Sequence, residues 1–439
     1  MQQSAQTAGV DRFINKESAG GILLLLMAVA AILWANSAYG GTYFALWTET
    51  KFTVGIGDAV LSKPLILWIN DLLMAIFFLV VGLEIKRELL VGELSSLRKA
   101  TLPIAAAVGG MLVPALVYSI FNVGGTGASG WGIPMATDIA FSLGILALLG
   151  SRAPAGLRIF LTALAIADDL GAILVIALFY TAQLNVMALV SALVILAVLA
   201  GVAKAGVRNV WWFILPGMIV WFLFLKSGVH ATIAGVLLAF VIPVRTKIDT
   251  DSFFTQMSGY LKEFRENGEP GNHILKNPER QEALYRMRET ADHIETPLEK
   301  IEHALLPFVS FLIMPIFALA NAGVMIGGGG FHAGDPVFLG VLLGLFAGKP
   351  LGIFFFTYLA VKSGIAALPE GVNYGHILGA GMLAGVGFTM SLFIGNLAFT
   401  DAALLEAAKI GILAGSFISA VAGVIALMWF GRRSAAAAA

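Results

Sequence analysis

The sequence predicts an all-α polytopic membrane protein, and three observations carry that prediction. Hydrophobic residues make up 59% of the 439 and charged residues 12%, with a mean hydropathy of +0.89, far above the apolar share of a soluble domain. Twelve apolar stretches approach the roughly 20 residues that a helix needs to cross a bilayer. Four ionisable residues, Asp138, Asp168, Asp169 and Lys349, lie near the middle of such stretches, where a charge costs at least about 2.5 kcal/mol and usually marks an ion or proton path. Zero net charge, a pI near 7.0 and the lack of any long run of like charges leave no footprint for nucleic acid. With no cysteine in the chain, disulfides, thiolate metal sites and cysteine nucleophiles are excluded. The chemistry must rest on carboxylates, amines, hydroxyls and imidazoles.

The stretches run over 19–37, 65–84, 101–121, 131–149, 157–180, 186–203, 209–225, 228–243, 302–323, 337–361, 375–397 and 403–430. Arg12 and Lys16 give the first one the flank of a signal peptide, but Ala35-Asn36-Ser37 is a poor cleavage site, so it is read as a retained helix. The organisation expected is a cytoplasmic segment 1–18, helices one to eight over 19–243, an amphipathic insertion 244–301, helices nine to twelve over 302–430 and a tail 431–439 that ends in Ala435 to Ala439. Lys and Arg concentrate in short cytoplasmic loops. With the long 244–301 loop left aside, because long loops obey this rule poorly, one set of alternate loops and ends holds thirteen of them (Arg12, Lys16, Lys86, Arg87, Arg98, Lys99, Arg152, Arg158, Lys204, Arg208, Lys362, Arg432 and Arg433), against Lys51, Lys63, Lys226 and Lys409 on the other side. Both termini are therefore expected in the cytoplasm.

Depth follows from the flanking polar residues and a rise of about 1.5 Å per residue. Helix five is framed by Arg158 and Gln183 and helix ten by Asp335 and Lys362, so Asp168, Asp169 and Lys349 share the midplane. Neighbouring side chains on a helix point about 100° apart, so one aspartate can face a partner while the other faces an ion. A purely structural salt bridge from Lys349 to one aspartate would leave the second carboxylate without a partner.

Two stretches read as broken helices. Gly130, Gly132 and Pro134 lead into Ala136-Thr137-Asp138, and Gly375, Gly379, Gly381, Gly385 and Gly387 lead into Phe388-Thr389-Met390-Ser391. Both residue types weaken the helical ladder, and transporters use such breaks to aim half-helix ends at an ion. Asp138 would offset the positive ends and Lys349 the negative ones. Helices three to five and ten to twelve each carry an interrupted middle member and start on opposite sides, the pattern of an inverted repeat.

The insertion alone has the composition of soluble protein. Phe253, Phe254, Met257, Tyr260, Leu261 and Phe264 recur at helical spacing, as do Leu284, Met287, Ala291 and Ile294, which predicts two amphipathic helices. Asn277-Pro278 and Thr296-Pro297 suit a helix cap and first turn.

Seven ordered blocks resemble the bacterial NhaA sodium/proton antiporters. They are Gly82 to Leu89, Pro134 to Phe141, Ala167 to Gly171, Lys226 to Thr232, Phe317 to Val324, Gly348 to Gly352 and Gly387 to Ser391. The resemblance implies twelve transmembrane helices with inverted repeats and two crossed discontinuous helices. It implies exchange of cytoplasmic Na+ or Li+ for external protons, a bacterial inner-membrane location and a homodimer, with no cofactor and no enzyme activity. By matching position, Asp168 and Asp169 are the ion-binding and proton-carrying pair, Lys349 is the partner of the first, and Asp138 and Thr137 are the broken-helix residues near the ion. Glu84, Arg87, Glu88, Glu302, His303 and His230 are the implied pH-sensing set, although some members carry a further histidine where Leu306 stands. The insertion is longer than in compact members and lies outside the resemblance.

The chemistry agrees with the resemblance, because a hard cation prefers oxygen ligands and would compete with protons for the same carboxylates. Two aspartates serving one monovalent cation make exchange electrogenic by charge counting. An intramembrane aspartyl protease needs carboxylates on different helices within a Gly-x-Gly-Asp context, absent here. An organic-anion symporter on a related fold is the nearer alternative, opposed by the adjacent aspartates, and a channel would need a filter or ring motif that is not present.

Overall fold

Apolar sequence in lipid must satisfy its own backbone, and helices do so within one segment. The computed structural model describes residues 2–56, 59–150, 153–181, 184–266, 277–325 and 332–438. The chain opens with α1 (Gln2–Ala35) and the short α2 (Gly40–Phe44). A hairpin of β1 (Lys51–Ile56) and β2 (Ala59–Pro64) follows, then α3 (Leu65–Trp68), α4 (Met74–Leu90) and α5 (Leu97–Asn122). A 3-10 stretch, Ala128–Met135, precedes α6 (Ile139–Leu148), α7 (Ala155–Phe179), α8 (Val186–Lys204), α9 (Trp211–Ser227) and α10 (Thr232–Val241). The insertion forms α11 (Thr250–Glu266) and α12 (Pro278–Ile294). The remainder is α13 (Pro297–Phe308), α14 (Met314–Asn321), α15 (Pro336–Leu343), α16 (Lys349–Lys362), α17 (Tyr374–Ala384), α18 (Phe388–Ala398) and α19 (Ala402–Ala438).

Eight described helical runs are long and apolar enough to cross a bilayer, and α17 with α18, bent by 49° at their break, make a ninth. Ala19–Ala35, α9 and α10 are apolar but shorter. Every stretch expected to span is thus helical, while length and composition support eight or nine crossings rather than all twelve. Leu112, Leu116, Ile120, Leu178, Trp211, Trp212, Leu351 and Phe417 are exposed large apolar side chains on these helices, a surface suited to lipid rather than water.

Three spans among the described residues carry a pi turn within them. Pi turns at Ile69–Leu73, Val309–Ile313 and Gly344–Gly348 join α3 to α4, α13 to α14 and α15 to α16. Nothing in the periodicity announced them. The β-hairpin is a small addition to the all-α reading. It pairs Lys51 with Pro64 and Thr53 with Ser62, and the Trp68 indole donates to the Phe52 carbonyl at 3.0 Å.

Glycines bring the spans that carry the site into contact. A Cβ at Gly352 of α16 would collide with the backbone of Gly109 on α5, and one at Gly109 with the backbone of Gly352. This small-residue seam sets the helix that begins at Lys349 directly against α5. The two interrupted spans cross and repair each other. The Asp138 amide donates to the Val386 carbonyl at 2.7 Å, Thr137 Oγ1 to Ala384 O at 3.0 Å, Ser142 Oγ to Leu383 O at 2.8 Å and Ser391 Oγ to Ile133 O at 2.8 Å. Carbonyls freed by each break are satisfied by the other segment, as non-helical backbone at membrane depth requires.

In the insertion, Asn277 Oδ1 accepts from the Arg280 amide at 3.1 Å, and Thr296 with Glu299 completes a capping box at the start of α13. Both caps were legible as Asx/Thr-Pro pairs. Helix nine starts at Pro297, five residues before the expected 302, because this cap begins it. Arg280 binds α12 to α11 by donating to the Phe264 carbonyl at 3.1 Å and lying over the Phe264 ring.

Candidate functional site

Asp138 sits between two helix N-termini. Its Oδ1 accepts from the Phe141 amide at 3.0 Å, capping α6, while Oδ2 accepts from the Thr389 hydroxyl at 2.6 Å and amide at 3.2 Å, at the start of α18. The sequence-derived role, a carboxylate offsetting the positive ends of half-helices, describes this arrangement. Lys349 does the converse. Its Nζ donates to the carbonyl of Met135, the last residue of the 3-10 stretch, and to Asp168 Oδ2 at 2.7 Å. Thr137, Asp138, Asp168, Asp169, Lys349 and Thr389 are all buried, none more than 2% exposed.

The adjacent aspartates face different surroundings, as one-residue spacing on α7 demands. Asp168 turns to Lys349. Asp169 instead lines a cavity of about 370 Å³ together with Thr137, Asp138 and Thr389. This cavity is also lined by Glu84 on α4, Gly20 and Gly21 on α1, and His303, Leu306 and Pro307 on α13, so it runs from the carboxylates to the end of the molecule that bears the insertion. Among the described residues, Asp168 Oδ1 and Asp169 Oδ1 are buried without a hydrogen-bond partner. An acceptor oxygen left bare in a low-dielectric interior is costly unless a proton or cation completes it.

Thr389 was not among the site residues named from sequence, although it bonds Asp138 directly. Its signal was its place just past a break, matching that of Thr137. Thr137 itself donates to the Ala384 carbonyl and so ties the crossing together.

The second set of titratable residues divides. Arg87 Nη1 lies 2.9 Å from Glu302 Oε1, and this buried carboxylate keeps its second oxygen without a partner among the described residues. His303 Nδ1 lies 3.4 Å from Glu295 Oε1. Glu84 lines the cavity nearby, whereas Glu88, near the end of α4, accepts from the Glu93 amide in the turn that follows. Lys86 closes α10 by donating to the Phe240 carbonyl at 2.8 Å and to that of Ile242. His230 lies apart from these groups, in the turn between α9 and α10, with Nε2 2.6 Å from the Tyr180 carbonyl.

Such an arrangement can bind and release a small cation through carboxylate oxygens. Among the described residues no cluster of three His, Cys, Asp or Glu forms a metal cage. Residues 11–427 match the family described as Na+/H+ antiporter 1. The chain belongs to this family. It is 51% identical to the Na(+)/H(+) antiporter NhaA of Oleidesulfovibrio alaskensis over 413 residues, covering 94% of this chain and 92% of that one. Against the protein of the same description from Koribacter versatilis the identity is 50% over 425 residues, 97% and 91% of the two chains. For Helicobacter pylori strain G27 it is 48% over 437 residues, 99% and 98%. The last alignment runs through the insertion, which corrects the expectation that the resemblance stops there.

Proposed function

We propose that this chain is a secondary active transporter that exchanges cytoplasmic Na+ or Li+ for external protons, using Asp169, Asp138 and Asp168 as the competed oxygens. What carries it is Asp169 in the cavity, its Oδ1 buried with no hydrogen-bond partner among the described residues, beside a lysine-held neighbour. A desolvated Na+ entering that cavity meets Asp169 and Asp138 with the Thr389 and Thr137 hydroxyls close by, a hard-oxygen environment. Protons and the cation compete for these oxygens, so loading one expels the other. Lys349 holds Asp168 and the Met135 carbonyl while the site is empty, and Asp168 exchanges Lys349 for the ion when the site loads.

The crossed half-helices α6 and α18, with α7 and α16, move as one body against the other spans, so that the carboxylates face first one side and then the other. Two protons for one monovalent cation make the cycle electrogenic. Arg87 and Glu302, with His303, Glu84 and Glu88, tune the pH response at the cavity mouth, and His230 modulates it from the opposite side. The protein works in a bacterial inner membrane as a homodimer with both termini cytoplasmic.

Cation binding in this scheme releases protons. Adding NaCl or LiCl to weakly buffered, detergent-solubilised protein at alkaline pH should acidify the solution, KCl should not, and Asp169→Asn should abolish the signal. Proton release that persists in Asp169→Asn would remove that residue from the site.

A further inference from the structure

Three asparagines meet outside the lining of the cavity that holds Asp138 and Asp169. Asn70 lies in the pi turn that follows the hairpin, Asn321 is the last residue of α14 and Asn396 lies near the end of α18. Asn321 Nδ2 donates to Asn70 Oδ1 at 2.9 Å and Asn70 Nδ2 returns to Asn321 Oδ1 at 3.2 Å, while Asn396 Nδ2 donates to that same Oδ1 at 3.0 Å. Each of the last two amides is also oriented by its own helix, through Phe317 O at 3.0 Å and Leu392 O at 2.7 Å. Asn70 and Asn321 are buried, and amides taken out of water are tolerated when they bond one another. Asparagine is also a poor helix former, so packing and propensity alone favour apolar residues here.

The same three spans supply a second layer. Phe78 of α4, Phe317 of α14 and Phe393 of α18 are fully buried, with ring centroids 5.4 Å apart for Phe78 and Phe393 and 6.4 Å for Phe317 and Phe393. The hairpin end of the molecule is therefore closed by two layers, while the cavity leaves the insertion end open to Asp138 and Asp169. Asn321 belongs to a braced body: the Tyr43 hydroxyl donates to Leu319 O at 2.8 Å and accepts from the Gly323 amide at 3.1 Å, and Asn36 donates to Val324 O at 2.7 Å. Asn396 belongs to the crossing. Its helix α18 is bonded to Asp138 at the base through Thr389, and Ser129 of the 3-10 stretch donates to Ala398 O at the tip.

We propose that Asn70, Asn321 and Asn396 form a latch that holds the hairpin end shut while the site faces the insertion end, and that it releases when α18 moves during exchange. These are positioning residues, acting on the site through α18, and the proposal rests on the antiport reading above. A latch of amides opens at modest cost because water replaces each lost bond, which direct apolar packing does not allow.

The chain has no cysteine, so paired cysteines can be introduced without background. The full-length Asn321→Cys/Asn396→Cys double variant is reconstituted in proteoliposomes, and the collapse of a preset pH gradient by Na+ is followed after oxidation and again after dithiothreitol. Oxidation is expected to cut exchange by about tenfold or more and reduction to restore it, since a tether across the latch removes one of the two access states. Exchange at the reduced rate with the disulfide formed would overturn the latch, as would a double variant that exchanges but never crosslinks. Failure of unmodified protein to respond to Na+ would instead overturn the antiport reading. Should the reduced double variant be inactive, Asn396→Leu carries the test: the apparent KM for Na+ on the insertion side should rise about threefold or more with Vmax changed less, because the closed-latch state is less populated. An unchanged KM there contradicts the proposal.

Discussion

Asp138 shows how a single side chain holds two interrupted helices. One oxygen caps its own helix α6 and the other takes both the hydroxyl and the amide of Thr389. Removing the hydroxyl with Thr389→Val deletes a hydrogen bond to a charged group, worth roughly 1.5–3 kcal/mol. The expected outcome is an apparent KM for Na+ raised by about tenfold, measured from the Na+ dependence of gradient collapse; a KM within twofold of unmodified protein would detach Thr389 from the site. Glu302 offers a second residue-level prediction. It is buried against Arg87, so Glu302→Gln leaves that guanidinium without its carboxylate. The pH of half-maximal exchange should move while Vmax at the new optimum is largely kept, and an unchanged pH profile would reduce the pair to topology and packing. Charge at membrane depth made Asp138, Asp168, Asp169 and Lys349 legible in the sequence, because an unpaired charge there needs a reason. Thr389, Asn70, Asn321 and Asn396 were not legible as partners. Neutral hydroxyls and amides cost little enough to occur in any span, and only three-dimensional contact gives them meaning.

At the scale of elements, the site depends on close backbone contact between α5 and α16. Neither Gly109 nor Gly352 has room for a methyl group. Gly352→Ala should therefore force the helices apart at a cost of about 1–3 kcal/mol, displace Lys349 three residues away, and lower both thermal stability in detergent and exchange rate. An undisturbed melting temperature would contradict the seam. The interruption in each crossed span was visible beforehand as glycine and proline, and the insertion helices as apolar periodicity with recognisable caps. The pi turns left no trace, since Ile69–Leu73, Val309–Ile313 and Gly344–Gly348 read as ordinary apolar helix. An extra residue in one turn alters the ladder without altering hydropathy. The hairpin is equally silent in the hydropathy, because β1 and β2 form the short connection between two apolar stretches.

Across the whole molecule, two ends are treated differently. One carries the cavity, the Arg87–Glu302 pair and the insertion; the other carries the hairpin and the asparagines. His230 stands apart from the Arg87–Glu302 cluster, in the turn before α10 with Nε2 2.6 Å from the Tyr180 carbonyl. Fold class and family followed from composition and motifs, whereas the direction in which the cavity opens could be learned only from packing.

In the proposed exchange, Na+ and protons compete for the midplane carboxylates. It is tested most directly by loading proteoliposomes with a preset pH gradient and adding Na+, Li+ or K+ to unmodified protein and to Asp169→Asn across pH 6 to 9. Collapse of the gradient by Na+ or Li+ but not K+ is expected, and its loss in the variant. Collapse that is indifferent to the cation, or that survives in Asp169→Asn at the unmodified rate, would contradict it.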